Sequence, residues 1–363
     1  LSLSPDPFEE IVPPKETYAV APLKKFLHDY EGPIFDVRSP CEYVKGHIPG
    51  SISFPLFTDE ERAVVGTTYK QKSREDAITV GLGLVGPKLE EMATTVRKTM
   101  KEQGSSLCRI LCFRGGMRSR SVQWLCQLLG FDTVRLDGGY KGFRRAVLET
   151  LDEPVAFTVI GGCTGSGKTE MLQDLEKRGL QVLDLERLAN HRGSAFGLLP
   201  GVVQPTTEQF ENLIAEKLWK FDKTLPVYVE DESRLVGTCM IPKCIYDQMD
   251  KALLFWLDVD FQERLTRIMK NYGSLPKEWM IEKALKLNKR LGPELVKKVV
   301  EAIESQKIQQ AAAILLEYYD KAYLYSKSKH DRPTTTISSG SIEEIIQPLQ
   351  EVLASHTLGP ITE

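Results

Sequence analysis

The stretch Gly162-Cys163-Thr164-Gly165-Ser166-Gly167-Lys168-Thr169 restricts the fold of this chain more than any other. It satisfies the spacing GxxxxGK followed by Ser or Thr in full, and it follows the apolar run Ala156-Phe157-Thr158-Val159-Ile160, which reads as a buried strand. Such a loop, set between a strand and a helix, wraps backbone N–H groups around a diphosphate, and the helix N-terminus adds positive potential. Gly162, Gly165, Ser166 and Gly167 are expected to form the cradle, Lys168 to neutralise the phosphates, and Thr169 to hold a magnesium ion. Further strands are expected at Gln181-Val182-Leu183-Asp184, Val227-Tyr228-Val229-Glu230, Ala252-Leu253-Leu254-Phe255-Trp256-Leu257 and Thr334-Thr335-Thr336-Ile337, with helices between them. That alternation predicts a parallel sheet. Residues 261–329 read differently, as a helical insertion or lid dense in Lys, Arg, Tyr and Leu.

The remainder is long enough for a second domain: 363 residues suggest two. The first half predicts its own α/β unit, with strands at Pro33-Ile34-Phe35-Asp36-Val37, Arg109-Ile110-Leu111-Cys112 and Thr133-Val134-Arg135-Leu136. A helix over Ser121–Leu129 stops at Gly130. The expected organisation is a tail over 1–18, a first domain over 19–150, a link at Leu151-Asp152-Glu153-Pro154, a phosphate-loop domain over 155–354, and a tail over 355–363. Seven cysteines, an odd number with no CxxC pair, exclude a disulfide scaffold and argue against structural zinc. Reduced thiols in the cytoplasm fit best. No run of 18 apolar residues predicts a membrane span, and the first residues do not read as a signal peptide. A net charge of −3 means that any RNA contact needs a local basic face.

The second chemical signal is Cys112-Phe113-Arg114-Gly115-Gly116-Met117-Arg118-Ser119, between a strand and a helix. Inward N–H groups and a helix N-terminus favour a thiolate there. The glycines permit a tight curl, and Arg114 and Arg118 add charge for an anionic donor such as thiosulfate or selenophosphate. In the second domain, Glu230-Asp231-Glu232-Ser233-Arg234 ends a buried strand. Asp231 and Glu232 are candidates to bind magnesium directly or through water, weighed evenly against a solvated strand end, and Arg234 is a substrate candidate. His191, Arg192 and Ser194, in the loop after the strand ending at Asp184, stand where an acceptor would bind. Arg264, Arg267, Lys270, Lys283, Lys286, Lys289 and Arg290, interleaved with Tyr272 and Trp279, suit an RNA backbone and splayed bases as well as they suit a solvated helix face.

Asp36-Val37-Arg38-Ser39-Pro40, Glu42-Tyr43 and Gly46-His47-Ile48-Pro49-Gly50-Ser51 resemble the upstream rhodanese signature, and Leu136-Asp137-Gly138-Gly139-Tyr140-Lys141-Gly142-Phe143-Arg144 the downstream one. The rhodanese resemblance implies that Cys112 carries a persulfide or its selenium analogue. Asp36, Arg38, Glu42 and His47 are read as structural. A rhodanese domain followed by a phosphate-loop domain resembles the tRNA 2-selenouridine synthase family, over nearly the whole chain after residue 20. The stretches Asp59-Glu60-Glu61-Arg62, Tyr69-Lys70-Gln71, Glu230-Asp231-Glu232-Ser233-Arg234, Lys289-Arg290-Leu291-Gly292 and Tyr318-Tyr319-Asp320 share in it. The resemblance implies replacement of the sulfur of wobble 2-thiouridine in tRNA by selenium from selenophosphate, through an S-geranylated intermediate made from geranyl diphosphate. Its implied partners are tRNA and an enzyme supplying selenophosphate. The residues alone also admit a sulfurtransferase fused to an ATP-dependent small-molecule kinase, or a nucleotide-gated binding module. Oligomeric state is not legible.

Overall fold

The computed structural model describes residues 19–192, 197, 199–273, 275–327 and 332–338. The chain divides into two compact units, Leu1–Glu149 and Thr150–Glu363. In the first, β1 (Ala19–Ala21), β2 (Ile34–Asp36), β3 (Ile52–Ser53), β4 (Leu107–Leu111) and β5 (Asp132–Leu136) form a sheet in the order β1-β5-β4-β2-β3. Every pairing in it is parallel. The central strand β4 ends at Leu111, which leaves Cys112 just past its carboxyl end. Phe35, Val37, Val96, Ile110, Val122 and Leu125 build the core between the sheet and helices Leu89–Glu102 and Met117–Leu128. Full burial of each such side chain contributes roughly 1.5–3 kcal/mol.

The second unit repeats the design. Strands β6 (Phe157–Gly162), β7 (Gln181–Leu183), β8 (Val227–Glu230), β11 (Leu253–Asp258) and β12 (Thr334–Ser338) lie in the order β12-β11-β6-β8-β7, all parallel. A short hairpin of β9 (Leu235–Val236) and β10 (Cys239–Met240) follows β8. All six residues of β6 are buried, as a strand covered on both faces requires. Helix Lys168–Lys177 packs on this sheet through Met171, Leu172 and Leu175. The α/β class with two parallel sheets is therefore as expected. Between β11 and β12, helices Phe261–Tyr272, Lys277–Lys286, Asn288–Leu291, Pro293–Glu304 and Ile308–Lys327 pack around Met280, Ala284, Val299 and Ile303.

The expected link is partly helix. Helix Gly139–Asp152 runs through Leu151, which is buried, and Trp219 Nε1 donates to Thr150 Oγ1 at 2.7 Å. Among the described helices, none is long and apolar enough to cross a membrane.

Candidate functional site

The cysteine loop is held by donors to its carbonyls. Tyr140 and Lys141 N–H donate to Cys112 and Phe113 oxygens at 2.9 Å each. Arg135 Nη1 donates to the Gly115 oxygen at 2.9 Å, and Ser119 Oγ to the Gly116 oxygen at 3.0 Å. Cys112 Sγ lies 3.2 Å from Ser119 Oγ, on the first turn of the helix. Gly115 has φ +69° and Gly139 φ +57°, the left-handed region. A Cβ on Gly139 would lie 2.3 Å from the Cys112 oxygen and 2.6 Å from Gly115 N. The downstream Asp-Gly-Gly stretch thus presses its backbone against the cysteine loop. Gly139→Ala is expected to displace that loop, at about 1–3 kcal/mol in stability. Slower alkylation of Cys112 by iodoacetamide, read beside a thermal melt, checks it.

The upstream motif buttresses the same loop. Arg38 and Asp36 form a buried pair at 2.6 Å, Arg38 Nη2 donates to the Gly46 oxygen at 2.7 Å, and its guanidinium lies 3.7 Å over the Tyr140 ring. His47 stacks on Tyr43 at 4.0 Å. Arg118 is engaged by Glu42 at 2.6 Å. Burial alone would raise the Glu42 carboxyl, but its hydrogen bond and charge contact with Arg118 outweigh this and hold it below the ordinary carboxylate value. Arg114 is exposed, its guanidinium 5.8 Å from the Phe113 ring centre.

Gly162, Gly165 and Gly167 of the phosphate loop have φ of +149°, +80° and +93°. At Gly162 a Cβ would meet Ser166 Oγ at 2.5 Å, and at Gly165 the Arg264 oxygen at 2.9 Å. Lys168 Nζ donates to the Gly162 oxygen at 3.1 Å, curled back over the loop. Ser166 Oγ is buried without a partner among the described residues. Arg264 and Arg267, expected on a solvated or RNA-facing helix face, instead clamp this loop. Arg264, buried, pairs with Asp320 at 2.6 Å and donates to the Thr164 oxygen at 3.2 Å. Arg267 Nη1 donates to the Gly165 oxygen at 3.0 Å. Their spacing of three on one helix face was the available signal.

Carboxylates gather at the carboxyl ends of β7 and β8, where open parallel sheets bind ligands. Thr169 Oγ1 meets Glu186 Oε2 at 3.3 Å, not Asp231. Asp231 is taken up by Arg332 at 2.7 Å. Glu186, not among the expected site residues, is hydrogen-bonded to Glu232. Its backbone N–H donates to Glu230 Oε1 at 2.5 Å. Glu230 Oε2 and Glu232 Oε1 are buried without partners among the described residues. Burial, then the charge of Glu186, pushes the Glu232 carboxyl up to about 8. A carboxyl raised above its unfolded value favours the fold below that value and loses the contribution as pH rises through about 8. Glu232→Gln should flatten the fall in stability between about pH 5 and 8, by at most roughly 1.4 kcal/mol per pH unit. Urea denaturation across that range tests it; equal slopes for both proteins would contradict it.

Beside these acids, Thr169, Asp184, Glu186, His191 and Arg192 line a polar cleft of about 270 Å³. His191 Nδ1 is buried and has no partner among the described residues. Burial, then the charge of Lys283, lowers the His191 value, so the ring is neutral at neutral pH. Arg192 lies 5.7 Å from the Tyr272 ring centre. Arg234 is exposed at the start of the hairpin, and Ser194 lies outside the described residues. Among the described residues, no three His, Cys, Asp or Glu side chains are grouped as a metal centre.

A family model described as the tRNA 2-selenouridine synthase AAA domain matches residues 155–356, and a rhodanese-like domain model matches 19–146. The tRNA 2-selenouridine synthase of Pseudomonas putida (strain GB-1) is 37% identical over 340 residues, covering 84% of this chain and 89% of that one. The protein of the same name from Aeromonas salmonicida (strain A449) is 36% identical over 335 residues, covering 83% and 88%. That from Pseudomonas aeruginosa (strain LESB58) is 37% identical over 343 residues, covering 85% and 91%. Paired motifs, both halves and near full-length similarity converge: the chain belongs to the tRNA 2-selenouridine synthase family.

Proposed function

We propose that this chain is a tRNA 2-selenouridine synthase that exchanges the sulfur of wobble 2-thiouridine for selenium from selenophosphate, through an S-geranylated nucleoside. The observation that carries the reading is a buttressed cysteine loop and a complete phosphate loop on one chain of this family. In the first step the thiouridine sulfur attacks C1 of geranyl diphosphate, the C1–O bond breaks, and diphosphate leaves. Lys168 and the loop N–H groups stabilise the charge on that leaving group. Neutral His191, in the adjoining cleft, is available to take the proton released from the nucleoside. Thr169 with Glu186 and the unpartnered Glu232 oxygen fits a magnesium ion completed by phosphate oxygens and water, as this ion prefers. Bound there, it would neutralise diphosphate charge.

Alkylation converts a poor leaving group into a better one. In the second step the Cys112 thiolate attacks phosphorus of selenophosphate, the P–Se bond breaks and selenide leaves. Selenide adds to C2 of the base, the C2–S bond breaks, the alkyl thiolate departs with its electron pair, and water frees phosphate from the cysteine. Carbon changes no oxidation state, so the selenium arrives at the selenide level. Cys112 is the residue that receives the donor, with exposed Arg114 beside it for the anion. Arg118 serves by bracing the loop on Glu42. Incubating thiolated tRNA with protein, selenophosphate and geranyl diphosphate, then analysing nucleosides by mass spectrometry, should give 2-selenouridine only when both small molecules are present. Selenouridine formed equally without geranyl diphosphate would reject the alkylated intermediate.

A further inference from the structure

The loop after β7 is held more tightly than a simple connection needs. Asn190 takes φ +49°, a left-handed conformation that asparagine tolerates better than most residues, and its Nδ2 donates to the Val203 oxygen at 3.1 Å. His191 N–H donates to the Glu186 oxygen at 2.9 Å, and Gln204 Nε2 to the Ala189 and Val236 oxygens at 2.9 and 3.1 Å. Gly237, in the turn of the β9–β10 hairpin, has φ +63°, and a Cβ there would lie 2.6 Å from His191 Cδ2. Contacts from separate segments thus fix the loop that carries His191 and Arg192 along the polar cleft. Constrained backbone of this kind concentrates at ligand sites.

The cleft has two chemical faces. Its wall carries Asp184, which is buried, with Thr169 and Glu186, groups that accept hydrogen bonds. Its rim is basic and aromatic. Exposed Arg192 has its guanidinium 5.7 Å from the Tyr272 ring centre, and half-buried Lys283 lies close enough for its charge to act on His191. A matching ligand has a flat, uncharged body with N–H and hydroxyl donors and an anionic strand at its edge. We infer that the cleft receives one unstacked nucleoside of an RNA loop, its base stacked on the Arg192 guanidinium that Tyr272 backs, its flanking phosphate at Lys283. Splayed RNA bases are gripped by such guanidinium and aromatic planes. The space of about 270 Å³ suits a single nucleoside, and His191 Nδ1, without a partner among the described residues, is left for its polar edge. This inference rests on the reading that tRNA is the substrate, and it assigns the wobble base a place.

Fluorescence anisotropy of the full chain with a labelled anticodon stem-loop carrying wobble 2-thiouridine tests it. Arg192→Ala should weaken binding by roughly five- to a hundredfold, the usual loss for one base stack. Arg192→Lys keeps the charge and loses the plane, and should weaken it nearly as much. Lys283→Gln should lower the slope of log affinity against log salt by about 0.7, one single-strand phosphate contact. Inorganic diphosphate affinity, read by calorimetry, should stay at the wild-type value in all three, which also shows that they fold. A stem-loop with 5-iodouridine at the wobble position should photocross-link to the His191-Arg192 peptide or to Tyr272. Wild-type RNA affinity in Arg192→Lys, or a cross-link mapping to neither place, would overturn the assignment. The two readings fail separately. Arg192-dependent binding and cross-linking without alkylation of the thiouridine keep the cleft and reject the proposed reaction. Selenouridine formation by a protein whose cross-links map elsewhere does the reverse.

Discussion

Replacing Cys112 by serine is expected to lower selenium incorporation into tRNA by on the order of a thousandfold or more, with the fold intact. The size follows from losing the one nucleophilic atom in a loop whose other parts are braces. Serine is close in volume, and the buried Sγ has a hydroxyl neighbour in Ser119 that a second hydroxyl can satisfy. The thermal midpoint should therefore move little. Of the other six cysteines, Cys108 and Cys126 are buried against each other in the core, Cys239 is buried beside the Pro205 oxygen, and Cys41 is exposed. Serine at any of those four should leave most of the selenium transfer. Radiolabelled selenophosphate with nucleoside analysis reads both outcomes; near wild-type transfer by Cys112→Ser would remove that residue from the chemistry.

Lys168→Ala should weaken binding of diphosphate ligands by roughly ten- to a hundredfold, the usual cost of about 1.5–3 kcal/mol for a lost charged hydrogen bond. The glycine backbone that shapes the cradle is unaffected, and so are the Arg264 and Arg267 contacts to the Thr164 and Gly165 oxygens. What disappears is the ammonium that now reaches the Gly162 oxygen and that offsets Glu186 and Glu232 nearby. Without it both carboxyls should hold their protons to higher pH, so over that window the variant's site is less negative than the wild type's and part of the binding defect is offset. Calorimetry of inorganic diphosphate at two pH values measures both effects. Unchanged affinity would mean that the loop does not serve phosphate.

Both chemical loops were legible because each is local. A glycine pattern, its strand and its helix lie within a dozen residues, and φ values above +50° at Gly115, Gly165 and Gly167 show why those positions are glycine. Strands β2, β4, β5, β6, β7, β8, β11 and β12 were legible, most of them from apolar runs. The short strands β1, β3, β9 and β10 were not. What joins distant segments was also hidden. Arg264 pairs with Asp320 across 56 positions, and Glu186 reaches Thr169 across 17. From sequence, Arg264 reads as one more charge on a basic helix, and Asp231 reads as a better metal ligand than Glu186. Only the fold reveals that Arg332 occupies Asp231. The rim of the polar cleft is likewise a property of packing, since Arg192 and Tyr272 meet only in three dimensions.

In the proposed division of labour the phosphate loop serves alkylation and Cys112 serves selenium delivery. It is tested most directly by following thiolated tRNA with the Cys112→Ser protein, geranyl diphosphate and selenophosphate, and quantifying wobble nucleosides by mass spectrometry. 2-Thiouridine should be consumed and its S-geranyl derivative should accumulate, with no 2-selenouridine. Unmodified 2-thiouridine throughout, from a variant that still binds the tRNA and geranyl diphosphate normally, would contradict it.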